Sequence, residues 1–153
     1  MKYEYVRPTL DDAKYVADNI KSNNKAEIIA IIGDHVLSDI IRSMKYSDDV
    51  GCLRINGKAA AIYGVHKASV MSDYGLVWLL MTRETEQHKV FIGKATKKGL
   101  QQILRKYSRV YNWCNVENTE ILKWIKWLGG KVYDPKPRGV YGKLHCYFEF
   151  TRE

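Results

Sequence analysis

Nowhere in the chain do apolar residues run on for the roughly 18 positions that a membrane-spanning helix needs. The opening stretch Met1-Lys2-Tyr3-Glu4-Tyr5-Val6-Arg7 has no apolar core of a signal peptide. Both absences point to a protein made and used in a cytoplasm. Cysteine is scarce: Cys52, Cys114 and Cys146 are an odd number at wide spacing, which fits neither a disulfide framework nor a zinc pattern and reads as three small apolar core residues. His35, His66, His88 and His145 stand at no metal-ligand spacing with Cys, Asp or Glu, so no metal site is expected. His145 and Cys146 are neighbours on a strand and face opposite ways, so they cannot act together. No internal repeat, low-complexity tract or linker is present.

What the chain does have is a hydrophobic share of 46% and a charged share of 27% over 153 residues. That is the composition of a globular protein, and the length fits one domain over 1–153. Acidic residues are in deficit, 17 against 25 Lys and Arg, giving a net charge of +8. Such an excess favours nucleic acid, an anionic cofactor or an acidic protein partner, and a merely solvated basic surface would show the same count.

Hydrophobic periodicity and turn residues set out the elements. The residues up to Val6 read as a strand that Pro8 closes. Thr9 and Asp12 resemble a helix N-cap, followed by Ala13, Val16, Ala17 and Ile20 at helical spacing. After Asn23-Asn24, a second helix runs from Lys25 to Ile32 and stops at Gly33. A third carries Val36, Leu37, Ile40, Ile41 and Met44 on one face. Strands Val50–Ile55 and Lys58–His66 flank Asn56-Gly57, a strong hairpin signal because both turn residues need positive φ. Leu76–Met81 is an unbroken apolar run, as in a central strand buried on both faces. A long helix is expected from Thr85 to Tyr107, then a strand Val110–Val116 and a helix Thr119–Leu128 stopped by Gly129-Gly130. Lys131–Tyr133 and Leu144–Phe150 read as strands, with Pro135 to Gly142 as the loop between them. The expected class is α/β, a mixed sheet flanked by helices.

Two motifs carry a resemblance. Val6-Arg7-Pro8-Thr9-Leu10-Asp11-Asp12 is similar to the first strand and turn of the GNAT (GCN5-related) N-acetyltransferases. Val116-Glu117-Asn118, Ile121-Leu122 and Trp127-Leu128-Gly129-Gly130 resemble that family's strand, Asn, amphipathic helix and Leu-Gly-Phe motif. The element order is also the GNAT order. A narrower set of segments resembles the GNAT-like proteins of tailed phages, some described as internal virion or antirestriction proteins. Among these are Tyr63-Gly64-Val65, Trp78-Leu79-Leu80-Met81-Thr82, His88, Tyr111-Asn112 and Trp124-Ile125-Lys126-Trp127-Leu128-Gly129.

The resemblance implies transfer of an acetyl group from acetyl-CoA to an amine of a protein or small molecule, in a host cytoplasm or virion if the chain is phage-encoded. The strands Leu76–Met81 and Val110–Val116 would splay to accept the pantetheine arm, on backbone groups of Leu79, Leu80 and Met81. Thr82, Arg83 and Asn118 complete the implied cofactor contacts, although Asn118 serves equally as a helix cap. Glu27 and His88 are the implied proton acceptors. The family's phosphate loop places Gly, one residue, then Gly or Ala soon after the strand. This chain has Glu84-Thr85-Glu86-Gln87-His88-Lys89 there and no glycine before Gly93; Arg83, His88 and Lys89 are the cations at hand. The tyrosine seven positions after the motif Asn is Ile125 here, leaving Tyr107, Tyr111 or Tyr133 as the implied acid.

The rival reading is a binding module without catalysis. Lys89, Lys94, Lys97, Lys98, Arg105 and Lys106 crowd the long helix. Lys123, Lys126, Lys131, Lys136 and Arg138 crowd the C-terminal third, interleaved with Trp113, Trp124, Trp127, Tyr133 and Tyr141. Such a surface can hold phosphates and stack bases, or be simply the solvated side of amphipathic helices.

Overall fold

Asn56 and Gly57 turn the chain with φ of 52° and 81°, joining β2 (Asp49–Ile55) to β3 (Lys58–Lys67) as the sequence predicts. The structure is a computed structural model that describes residues 1–20, 36–139 and 141–152. The predicted helix Lys25–Ile32, its stop at Gly33, and Glu27 lie outside the described residues.

The remaining elements are β1 (Tyr3–Val6), α1 (Leu10–Asn19), α2 (Val36–Tyr46), β4 (Tyr74–Met81), a 3-10 helix (Arg83–His88), α3 (Lys89–Lys106), β5 (Arg109–Asn115), α4 (Thr119–Trp127), β6 (Lys131–Arg138) and β7 (Lys143–Thr151). One seven-stranded sheet runs β1-β2-β3-β4-β5-β7-β6. Every pairing is antiparallel except β4 with β5, where α3 returns the chain so that β5 runs in the direction of β4.

Alternation along the strands divides the core. Cys52, Ile62, Trp78 and Leu80 pack beneath α1 and α2 with Ala13, Val16 and Ile40. On the other face Leu79 and Met81 meet Ile92, Phe91 and Trp124, and Val110, Cys114 and Phe150 meet Ile103, Leu104 and Ile125. All three cysteines are buried free thiols, and burial pushes the Cys52 thiol up to about 12.

α1 begins on a reciprocal cap. The Thr9 hydroxyl accepts from the Asp12 amide at 3.3 Å, and the Asp12 carboxylate accepts from the Thr9 amide at 2.9 Å. The same carboxylate is held by Arg54 of β2 at 3.0 and 2.8 Å, so one buried side chain both starts the helix and pins it to the sheet. α4 ends at Gly129, φ 93°, with Gly129 and Gly130 amides bonded back to Lys126 and Ile125.

Two boundaries differ from the sequence reading. The helix expected from Thr85 starts as a 3-10 segment at Arg83 and becomes α-helical only at Lys89. The stretch read as a loop from Pro135 is strand through Arg138. Proline is tolerated there because β6 is an edge strand. Val116 donates to the Leu144 carbonyl at 3.0 Å, so even-numbered β7 residues spend their backbone groups on β5. Pro135 and Pro137 face Cys146 and Leu144, the rungs at which β7 asks nothing of β6.

Candidate active site at the parting of two strands

β4 and β5 are register partners only over Tyr74–Arg109, Gly75–Val110 and Leu76–Tyr111; beyond that they separate. On its other edge β4 stays paired to β3 as far as Met81 and Ala61. Thr82 donates to the Ala60 carbonyl at 2.9 Å, which sets the alternation: even-numbered β4 residues bond to β3, and the backbone groups of Val77, Leu79 and Met81 aim toward β5. By the same logic the backbone groups of Trp113 and Asn115 aim toward β4.

A parallel ladder continued by one rung would bond the Trp113 amide to the Val77 carbonyl. The Asn112 side chain stands in that place. Its Oδ1 accepts from the Trp113 amide at 2.7 Å and its Nδ2 donates to Val77 at 2.6 Å. A side-chain amide thus replaces one ladder bond with two, satisfies both backbone groups, and holds the strands apart where the gap opens. Asparagine is a poor strand former, so an Asn between Tyr111 and Trp113 in a buried strand was the available signal for this wedge.

The structure distributes the residues singled out in the sequence as follows. Leu79 and Met81 direct backbone groups at the gap, whereas Leu80 pairs with Ile62 and its side chain lies under α1 and α2. Thr82 is buried, its hydroxyl bonded to the Ala59 and Ala60 carbonyls at 2.9 and 3.3 Å. Arg83 is exposed and donates to Asn19 of α1 at 2.6 Å. His88 is half-buried at the start of α3, with no capping bond from its side chain. Asn118 caps α4, its Oδ1 accepting from the Ile121 amide at 3.4 Å. Thr82, Arg83 and His88 therefore share one turn at the end of β4, and Asn118 stands apart beyond β5.

The three tyrosines proposed as acids do not converge. Tyr107 is buried and donates to Asp49 beside the Lys106–Asp49 ion pair. Burial first, then Asp49, raise its pKa strongly. Tyr133 lies on the edge strand and donates to Glu149 at 2.6 Å. Tyr111 sits at the last paired rung. Ile125 is buried in the core, and it is the preceding Trp124 that packs against the cluster of Met81 and Ile92, as Leu79 does.

The turn after β4 is closed by contacts that the sequence did not reveal. Tyr15 of α1 donates to the Glu84 carboxylate; its pKa is raised by burial and then by Glu84. Ile20 forms an isolated bridge with Thr82, and the Thr85 amide and hydroxyl both bond to the Thr82 carbonyl, at 3.1 and 2.9 Å. Between the strands, backbone groups of Leu79 and Met81 face the opening without a β5 partner in register. The diphosphate of CoA does not find the glycine cradle that backbone recognition requires: the turn is coiled on itself and carries Glu84 and Glu86. Among the described residues no group of His, Cys, Asp and Glu could hold a metal ion.

No family model matches the sequence, and no curated protein matches it. Solved structures do match the fold. Ard1 from Thermoplasma volcanium superposes with a TM-score of 0.76 at 10% identity over 100% of this chain and 99% of its own. An acetyltransferase of the GNAT family from Bacillus anthracis gives 0.71 at 12% identity over 99% and 95%. AAC(6')-Ib, solved with ribostamycin and coenzyme A, gives 0.71 at 10% identity over 99% and 94%. The chain has the fold of the GNAT acetyltransferases.

Proposed function

We propose that this chain is an N-acetyltransferase that takes an acyl-CoA thioester, acetyl-CoA in the first instance, into the gap between β4 and β5. The observation that carries this reading is the Asn112 wedge between the Trp113 amide and the Val77 carbonyl, which keeps an opening where a sheet would otherwise close. Leu79 and Met81, on the open edge of β4, supply the backbone groups for the arm. The shared fold with acetyltransferases adds weight to the ligand class.

The thioester supplies an acyl carbon activated toward attack. The acceptor must arrive as a neutral amine: its nitrogen forms the C–N bond, the C–S bond breaks, and the proton leaves to a base while the sulfur departs as thiolate. His88 and Glu27 are the proton acceptors we carry forward, His88 because it lies in the turn following β4. The Leu79 amide, aimed at the gap, is the donor that would steady the carbonyl oxygen as charge grows on it. The diphosphate is left to side-chain cations, Arg83 and Lys89. The resemblance to phage GNAT-like proteins makes the host cytoplasm the expected setting and a host protein or small amine the expected acceptor.

Titration calorimetry with acetyl-CoA tests this directly, backed by thermal shift. Binding saturated about a hundredfold over Kd adds roughly 2.7 kcal/mol of stability. An acetyl-CoA hydrolysis and amine-acceptor screen with Glu27→Gln and His88→Gln would follow. Absence of binding at millimolar acetyl-CoA would overturn the proposal.

A further inference from the structure

Among the described residues, the faces of the sheet are covered unequally. The apolar cluster beneath α1 and α2 draws strand residues from β1 to β4 and none from β5, β6 or β7. Among the described residues, no helix covers the same side of those last three strands. On that side Tyr111, Trp113 and Tyr147 are half-buried, Tyr133 is exposed and His145 is buried.

Tyr111 and Trp113 of β5 come up beside Tyr147 of β7, with ring centroids 5.8 and 5.2 Å from it. Tyr133 of β6 adds a third neighbour at 5.3 Å. Four rings from three strands thus form one continuous surface centred on Tyr147. The sequence pattern had grouped Trp113 and Tyr133 with Trp124 and Trp127, but those two belong to the helical side: Trp124 packs against the cluster of Met81 and Ile92 and Trp127 lies under Lys97.

The charge on this surface is one-sided. Register pairs Lys131 with Glu149, Lys136 with His145 and Arg138 with Lys143, so each basic residue of β6 shares the side of the rings. Arg138 stacks 4.3 Å from the Trp113 ring, and Arg109 stacks 4.6 Å from Tyr74. The three strands contain two carboxylates. Glu149 is on the aromatic side, but Tyr133, Tyr147 and Arg109 all donate to it, at 2.6, 3.1 and 3.5 Å. Asp134 lies in the irregular stretch of β6 and acts, after burial, to raise the Cys146 thiol on the other side.

Rings spaced for stacking, guanidinium planes laid on them and a rim of exposed lysines are the chemistry that binds unpaired bases joined by phosphates. We infer that the aromatic side of β5, β7 and β6 binds single-stranded nucleic acid, with Trp113 and Tyr147 as stacking platforms and Arg138, Lys136 and Lys143 on the phosphates. A duplex hides its base faces and leaves the rings without partners, so the surface selects single strands. This goes beyond acyl transfer and does not depend on it.

The test is fluorescence anisotropy of a fluorescein-labelled 12-nucleotide oligouridylate over a salt series, with the protein's fold monitored by circular dichroism. The wild type is expected to bind the single strand at least about tenfold more tightly than a 12-base-pair duplex. Trp113→Ala should weaken binding by about tenfold or more, since stacking contributes about 1–3 kcal/mol per base and about 1.4 kcal/mol is tenfold. Arg138→Ala, at an exposed edge position, keeps the test valid if Trp113→Ala unfolds; it should flatten the log–log salt slope by roughly 0.7, one phosphate contact. The Lys94→Ala, Lys98→Ala pair on the helical side should change affinity less than about twofold. Equal binding of duplex and single strand, no measurable binding of the oligouridylate, or a larger loss from the α3 pair than from Arg138→Ala would overturn the inference.

Discussion

The Asn112 Nδ2 donates to the Val77 carbonyl at 2.6 Å, at the rung where β4 and β5 cease to pair. Because Asn112 Oδ1 also holds the Trp113 amide, the residue needs both a donor and an acceptor at fixed spacing. Asn112→Asp keeps the shape and loses the donor, setting a carboxylate against the Val77 carbonyl. It is expected to cost roughly 1–3 kcal/mol of stability and at least about tenfold in acetyl-CoA affinity. Asn112→Leu removes both bonds. Amide hydrogen exchange of Trp113, measured alongside calorimetry, separates the two effects: unchanged exchange with unchanged affinity in both variants would show that the wedge holds nothing open.

The coiled turn after β4 bears on how the cofactor is held. With no glycine cradle and with Glu84 engaged by Tyr15, the diphosphate gains little from the backbone. Acetylpantetheine should therefore bind within about tenfold of acetyl-CoA, a difference under about 1.4 kcal/mol. Paired calorimetric titrations check this. A loss far greater than tenfold on removing the nucleotide would place the main recognition at the phosphates instead.

Asp12 makes stability depend on acid. Burial pushes its carboxyl up, but the hydrogen bonds from Arg54 and Thr9 outweigh that and hold it below the usual 3.8. A depressed carboxylate contributes fully above its unfolded pKa and loses that contribution as pH falls through the folded value. Urea unfolding from pH 6 down to pH 2 should thus show Asp12's contribution fading only below about 3.8. Asp12→Asn should be less stable by about 1 kcal/mol at pH 7, since it weakens the cap and leaves Arg54 with Glu4 alone, with a shallower acid slope than the parent. Parallel acid slopes in the two proteins would contradict the assignment.

Two glycines should respond in opposite directions to alanine. A Cβ at Gly75 would lie 2.4 Å from the His66 carbonyl oxygen and 2.9 Å from its carbon, both backbone atoms that cannot swing away. Gly75→Ala is expected to destabilise by roughly 2–3 kcal/mol. A Cβ at Gly99 within α3 meets nothing within 4 Å, and Gly99→Ala should stabilise by about 1 kcal/mol from helix propensity. Thermal melts of the two variants settle both signs.

Local chemistry made much of the fold legible. Asn56-Gly57 dictated a hairpin because few other dipeptides accept φ of 52° and 81°. Thr9 and Asp12 announced a helix start, Gly129 announced a stop, and the apolar run ending at Met81 announced a central strand. Each of these depends on residues a few positions apart. The segment after Thr82 misled because Glu84 and Glu86 suit an ordinary first helical turn, while Thr82 and Thr85 are instead drawn back onto β3 and one another. Pro135 and Pro137 read as loop because a proline's tolerance in a strand rests on which edge it faces, and that edge is fixed by β7. Asn112 in a strand was a signal without a partner, and the Trp113–Tyr147–Tyr133 surface was beyond the sequence. Residues so far apart in the chain meet only once register is set, and register is a property of the sheet as a whole. The sequence by itself determined most of the described elements, their order and the basic charge, because these rest on neighbours in the chain; the tertiary structure alone decided where the sheet opens and which side chains stand at the opening.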